Sequence, residues 1–151
     1  MTLTISPVSP LDPRATRLLR SSHALMEALF PPEENYFLDI DALCAPHITL
    51  FGAEESGELL GCAALARHGD YAEVKSMFVA DEARGIGLAR RLLRHLEQTA
   101  QTEGIPLLRL ETGDKLAAAV SLYEAHGFRR RGPFGRYVSN VSSLFYEKPV
   151  T

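Results

Sequence analysis

The sequence predicts a mixed α/β domain spanning residues 1–151. Three observations predict it. Apolar, strand-like runs at 47–53, 58–67 and 71–79 are separated only by short polar turns, which makes them antiparallel neighbours. An amphipathic stretch from Gly87 to about Thr102 joins the third run to a strand at 107–111, and a strand reached through a helix pairs in parallel with a right-handed crossover. Helical stripes also lie before the first of these strands and after the last, with a further strand pair at the C-terminal end.

In chain order, 3–6 alternates weakly and reads as a first strand. Asp12-Pro13 is a helix start, with aspartate as N-cap and proline at the first helical position. Ala15, Leu18, Leu19, Ser22, Leu25, Met26 and Leu29 then follow a helical stripe, which Pro31-Pro32 ends. A second, short helix is expected over 36–43, stopping before Pro46. Glu54-Glu55-Ser56-Gly57 reads as a hairpin turn, and Gly69-Asp70 punctuates before the third strand. In the helix that follows, Ile86, Ala89, Leu92, Leu93, Leu96 and Ala100 form the expected buried stripe, and Gly104 ends it. Thr112-Gly113-Asp114 breaks the chain after the parallel strand; 116–126 is helical; 128–131 and 143–148 are the final strands. The long polar-aromatic loop between those strands has the length of a binding loop.

Composition narrows the function classes. Apolar content of 46% and charged content of 23% are those of a soluble globular protein. A net charge of −3 gives no reason to expect nucleic acid, and no apolar run reaches membrane-spanning length. The arginines are clustered even so, at Arg84, Arg90, Arg91 and Arg94 and again at Arg129, Arg130 and Arg131. A local basic patch in an acidic chain fits a small anionic ligand, or a solvated helix face. The two cysteines and five histidines show no metal-ligand spacing, so no metal is expected. No signal peptide is visible, and a reducing, cytoplasmic setting is expected.

The stretch from Val74 to Thr102 carries the chemistry. A strand, a glycine-bearing turn and a helix N-terminus present unpartnered N–H groups and the positive end of the helix dipole to a phosphate. The Walker motif fails, because Leu88 and Ala89 follow Gly87 where Lys and Ser/Thr are needed. The dinucleotide fingerprint fails at Arg90, where a third glycine is needed. A third pattern, Gln/Arg-x-x-Gly-x-Gly/Ala, is met by Arg84, Gly87 and Ala89. The alternative is a structural turn with Arg84 in solvent.

This stretch resembles motif A of the GNAT family of N-acetyltransferases, which bind acetyl-coenzyme A (acetyl-CoA). The element order β-α-α-β-β-β-α-β-α-β-β resembles that fold from end to end, and Ala119-Val120-Ser121-Leu122-Tyr123-Glu124-Ala125-His126-Gly127-Phe128 resembles a second family signature, A-x-x-L-Y-x-x-x-G-F. The runs Glu-Val-Lys-Ser-Met-Phe-Val, Leu-Glu-Thr-Gly and Gly-Pro-Phe-Gly-Arg-Tyr resemble a small bacterial acetyltransferase subgroup. The resemblance implies an acyl-CoA N-acyltransferase fold: a mostly antiparallel mixed sheet, helices on both faces and a splayed strand pair at the cofactor site. It also implies a transferase that uses acetyl-CoA as cosubstrate. The turn amides of Arg84, Gly85, Ile86, Gly87, Leu88 and Ala89 would take the pyrophosphate, and the strand end Met77, Phe78 and Val79 the pantetheine arm, with an oxyanion donor near Phe78.

Tyr123 matches the family tyrosine that protonates the coenzyme A thiolate; its alternative is a core aromatic. Glu73 falls where several members carry a general base, and Glu111 is the rival, with a water relay as a third route. Strand alternation would put Glu73, Lys75 and Met77 on one face, where the acid and the lysine could equally be a surface ion pair. The chain departs from the family pattern at Leu116, where many members have asparagine. Tyr36, Phe37, Phe134 and Tyr137 are candidates for an acceptor pocket, with Arg136 to counter an acceptor carboxylate. The expected partner is a small-molecule or peptide amine, bound by a monomer or homodimer. Two other readings stand beside this one. The first is an acyl-CoA-binding sensor or scaffold without turnover, against which the presence of both Glu73 and Tyr123 speaks. The second is a doubly wound nucleotide-binding protein, against which the early antiparallel strands speak.

Overall fold

The computed structural model describes residues 2–151. Seven strands form one sheet in the order β1-β2-β3-β4-β5-β7-β6. They are β1 (Thr4–Pro7), β2 (Ile48–Glu55), β3 (Glu58–Arg67), β4 (Ala72–Val79), β5 (Leu107–Gly113), β6 (Arg129–Arg131) and β7 (Ser143–Pro149). Only β4 and β5 pair in parallel; every other neighbour is antiparallel. The helices are α1 (Pro13–Leu29), α2 (Ile40–Leu43), α3 (Leu88–Thr102) and α4 (Ala117–Ala125). The expected architecture, a mostly antiparallel sheet with one helix-linked parallel pair, is the observed one.

Helices cover both faces because the strands alternate. Leu65, Val74, Leu108 and Leu110 point to one face, where Leu92, Leu93 and Leu96 of α3 and Tyr123 of α4 meet them. Leu50, Cys62 and Ala64 point to the other, against Ala15, Leu18 and Leu19 of α1. Asp12 caps α1 as expected, accepting from the Arg14 N–H at 2.9 Å.

Four local expectations are corrected. The helix expected over 36–43 is only Ile40–Leu43, because Asp39 takes the N-cap and accepts from the Ala42 N–H at 2.7 Å. The chain before it turns through a short 3₁₀ helix, Pro32–Glu34, and then runs extended. Ile86 is 64% exposed rather than part of the α3 stripe, since the helix begins at Leu88, which is buried in its place. Thr112 and Gly113 do not break the chain but extend β5, pairing with Leu144 and Ser143. Gly113 is a packing glycine: a Cβ there would lie 2.1 Å from Cζ of Phe30, so α1 reaches β5 only because that side chain is missing.

The fourth correction is in β4. Ser76 has φ of +53°, and the β3–β4 register slips between Cys62 and Ala64. This is a β-bulge, and the extra residue turns the strand over. Glu73 and Lys75 stay on the α1 face, whereas Met77 is carried to the α3 face with Val74 and Val79. Met77 therefore does not share a face with Glu73 and Lys75.

Candidate active site

β4 and β5 are paired only at Ala72 with Leu108 and Glu73 with Arg109. Beyond that point β4 follows β3 as far as Val79 opposite Gly61, and β5 follows β7 as far as Gly113 opposite Ser143. The two strands part, and a cleft of about 120 Å³ opens between them. Ser76 and Met77 line it from β4, Glu111 and Thr112 from β5, and Leu116, Ala119 and Tyr123 from α4 and its approach. Met26 of α1, Phe30 just after that helix and the segment from Glu34 to Phe37 close it on the other side.

At the far end of β4 the chain turns through a 3₁₀ helix, Asp81–Ala83, into the start of α3. Gly85 and Gly87 have φ of +83° and +79°, in the left-handed region that glycine adopts without strain. A Cβ at either position would meet nothing within 4 Å, so backbone shape and not crowding selects glycine here. The first bond of α3 runs from the Arg91 N–H to the Gly87 carbonyl at 3.1 Å. The amides preceding Arg91 in the first turn are thus without helical acceptors, at the positive end of a 15-residue helix. Donors of this kind fit a pyrophosphate. Arg84 is exposed, pairs with Asp81 at 3.1 Å, and lies 6.0 Å from the centre of the Phe78 ring.

Tyr123 is 7% exposed, and its O–H points at Met77 Sδ across 4.0 Å. Burial, and then the charge of Glu111, push its phenol above the ordinary tyrosine value. It keeps its proton at neutral pH and acts as a donor. Glu111 accepts from the Ser143 hydroxyl at 2.7 Å. Burial holds its carboxyl above the usual range, with Ser143 and Lys75 pulling it back. A raised carboxylate is a better proton acceptor when ionised. A pKa above the unfolded value gives stability that is complete below about pH 4.5 and is lost as pH rises through the folded value. Glu111→Gln, which mimics the protonated form, is therefore expected to melt higher than the parent at pH 7 to 8, with the gap closing below about pH 4. Melting curves of the two proteins that stay parallel across this range would contradict the assignment.

Glu73 is not in the cleft. It is 6% exposed and lines a second cavity on the α1 face. Its carboxylate accepts a short hydrogen bond from the Tyr137 hydroxyl and lies 3.5 Å from Lys75 Nζ, with His68 Nε2 at 3.8 Å. Lys75 also donates to the Tyr137 hydroxyl at 2.8 Å and to the Tyr36 carbonyl at 3.0 Å. The Glu73–Lys75 pair is therefore buried and joined through the Tyr137 hydroxyl, and is not a surface ion pair. Lys75 and Tyr36 line both cavities.

The acceptor-side residues divide. Tyr36 and Phe37 line the cleft, and Tyr36, Arg136 and Tyr137 line the second cavity. Phe134 lines neither; it is 5% exposed and packs against Tyr71, Tyr137 and Phe145. Phe78 packs on the α1 side of the sheet and Val79 on the α3 side, while their backbones continue the β4 edge. Sequence reasoning missed Glu34, Ser76, Ser142 and Ser143. Ser142 donates to Glu34, Ser143 donates to Glu111, and Asn140 accepts from both serine amides at 2.9 and 2.7 Å. The Asn-x-Ser-Ser run at 140–143 was the available signal, since such residues bond to their own backbone and fix a turn.

The acetyltransferase (GNAT) family model matches residues 16–128. An Azospirillum brasilense protein named IAA acetyltransferase is 41% identical over 98% of both chains. The chain belongs to the GNAT family. It is an acyltransferase of a family whose acyl donor is acetyl-CoA. The Bacillus subtilis N-acetyltransferase YsnE, itself uncharacterised, is 36% identical over 83% of this chain and 85% of its own. Among solved structures, a candidate acyl-CoA N-acyltransferase from Klebsiella pneumoniae superposes with a TM-score of 0.84 over 99% of each chain at 28% identity. PaiA N-acetyltransferase from Thermoplasma acidophilum, solved with coenzyme A, shares the fold at a TM-score of 0.76 and 19% identity over 99% of each chain. No helix among the described residues is long and apolar enough to cross a membrane.

Proposed function

We propose that this protein transfers the acetyl group of acetyl-CoA to a primary amine of a small molecule, amino acid or peptide, by direct attack while both substrates are bound. The observation that carries the reading is the opening between β4 and β5, with Tyr123 and Glu111 on its walls and the glycine turn at the end of β4. The turn amides from Arg84 to Ala89 hold the pyrophosphate, and the free edge of Met77, Phe78 and Val79 bonds the pantetheine arm. Glu111, inside the cleft, takes the proton of the incoming ammonium; Glu73 is a route for that proton only through Lys75 and Tyr137. The amine nitrogen forms its bond to the thioester carbon, and a β4 amide near Phe78 donates to the carbonyl oxygen as charge builds there. The C–S bond breaks, the thiolate receives the proton of the Tyr123 O–H, and the nitrogen releases its second proton to solvent as the amide forms, from which the Tyr123 phenolate is reprotonated.

The test is to incubate the protein with acetyl-CoA and a broad amine panel, reading thiol release and N-acetyl product together. Equal amounts of both are expected for at least one amine class. Acetyl-CoA binding without thiol release from any amine would favour a sensor and contradict this reading.

A further inference from the structure

We propose that the second cavity is a subsite for the distal part of the acceptor, and that it takes an aromatic or flat apolar group bearing a carboxylate. This rests on the amine-acetylation reading and adds the acceptor's chemistry to it. The cavity has a volume of about 800 Å³, ample for a ring with substituents. Part of its lining is apolar and small: Leu38, Ile48, Ala42, Ala45 and Ala66. Aromatic rings form its walls. His68 stacks on Tyr71 with centroids 5.0 Å apart, and Tyr36 stands edge-on to Tyr137 at 5.0 Å. Rings arranged in this way suit a further ring packed against their free faces and edges.

Charge selects the rest of the ligand. Glu73 is the carboxylate of the lining, and its charge is already paired with Lys75, with Tyr137 donating to the same oxygen. Arg136 stands exposed on the wall and forms no hydrogen bond or ion pair among the described residues. The uncompensated charge facing the cavity is therefore positive, in the form suited to bidentate carboxylate recognition. Tyr36 and Lys75 belong to both cavities, so a group seated here is next to the cleft where the amine reacts. An acceptor with its amine at one end and a ring carboxylate at the other spans the two.

The probes are 4-(aminomethyl)benzoate, benzylamine and ethylamine, compared by kcat/KM with acetyl-CoA saturating. The ring carboxylate is expected to exceed benzylamine by about tenfold or more, the worth of one charge-assisted hydrogen bond. Arg136→Ala is expected to remove that advantage. Ala45→Phe, which fills the cavity from a half-buried loop position, is expected to lower the ratio of either ring acceptor to ethylamine by about tenfold. An unchanged ratio in both variants would overturn the proposal. A calorimetric arm measures 4-(aminomethyl)benzoate binding to the coenzyme A-bound protein and both variants, and keeps the two readings separate. If no amine is acetylated, the function proposed above fails; the subsite then stands if either substitution weakens this binding tenfold, and falls if binding is absent or equal in all three.

Discussion

Replacing Tyr123 by phenylalanine is expected to lower kcat by about 10²-fold while leaving the fold and acetyl-CoA binding intact. The ring is part of the α3-face core, with the Phe128 centroid at 5.8 Å and that of Tyr146 at 6.5 Å, and phenylalanine keeps those contacts. The hydroxyl has no partner stronger than Met77 Sδ at 4.0 Å, so its removal leaves no buried group newly orphaned. Stability should therefore hold or rise slightly. What is lost is a proton held in place by burial, at the wall of the cleft where a thiolate would form. If Tyr123 is only a core aromatic, kcat will not change.

Gly87→Val should reduce acetyl-CoA affinity by more than about tenfold, through the backbone and not through a clash. A β-branched residue at φ of +79° is strained by roughly 1–3 kcal/mol, and no neighbour lies within 4 Å to explain a loss otherwise. The chain relieves that strain by turning the amides that open α3 away from their common focus. Gly104→Val is the control. Gly104 has φ of +74° and equally open space, at the opposite end of α3. It should lose a similar amount of stability and keep its affinity. Equal loss of affinity in both variants would mean that general destabilisation, and not the turn, is responsible.

The turn was legible in the sequence because its requirements are local. Positive φ at Gly85 and Gly87, an arginine before them and an apolar helix after them all fall within one short stretch. The sheet was legible for the same reason, since hairpin turns and alternation fix neighbours in the chain. The β4 bulge was not. Its cause is pairing with β3, and Ser76 gives no hint of a left-handed conformation in a run that otherwise alternates. That single residue carries Met77 to the α3 face, within reach of Tyr123, while Glu73 stays on the α1 face; Glu111 lines the cleft because β5 parts from β4 after Arg109, a pairing between strands that the sequence does not show. The second cavity was legible only in part: Tyr36, Arg136 and Tyr137 were candidates from the sequence, but His47, Ile48, His68 and Glu73 join them from segments far apart in the chain. The helix expected over 36–43 failed where tertiary contacts won: the Tyr36 carbonyl is held by Lys75 and its hydroxyl by the Val138 carbonyl at 3.3 Å, which keeps this segment extended.

Thermal unfolding with acetyl-CoA, coenzyme A, ATP and NAD tests the central claim most directly, because it needs no knowledge of the acceptor. A ligand at about 100 times its dissociation constant stabilises the native state by roughly 2.7 kcal/mol, a readable rise in melting temperature for a chain of this size. Acetyl-CoA and coenzyme A are expected to raise the melting temperature, and ATP and NAD at the same concentration are not. No rise with acetyl-CoA would contradict the account of the parted strands and the glycine turn as its binding site.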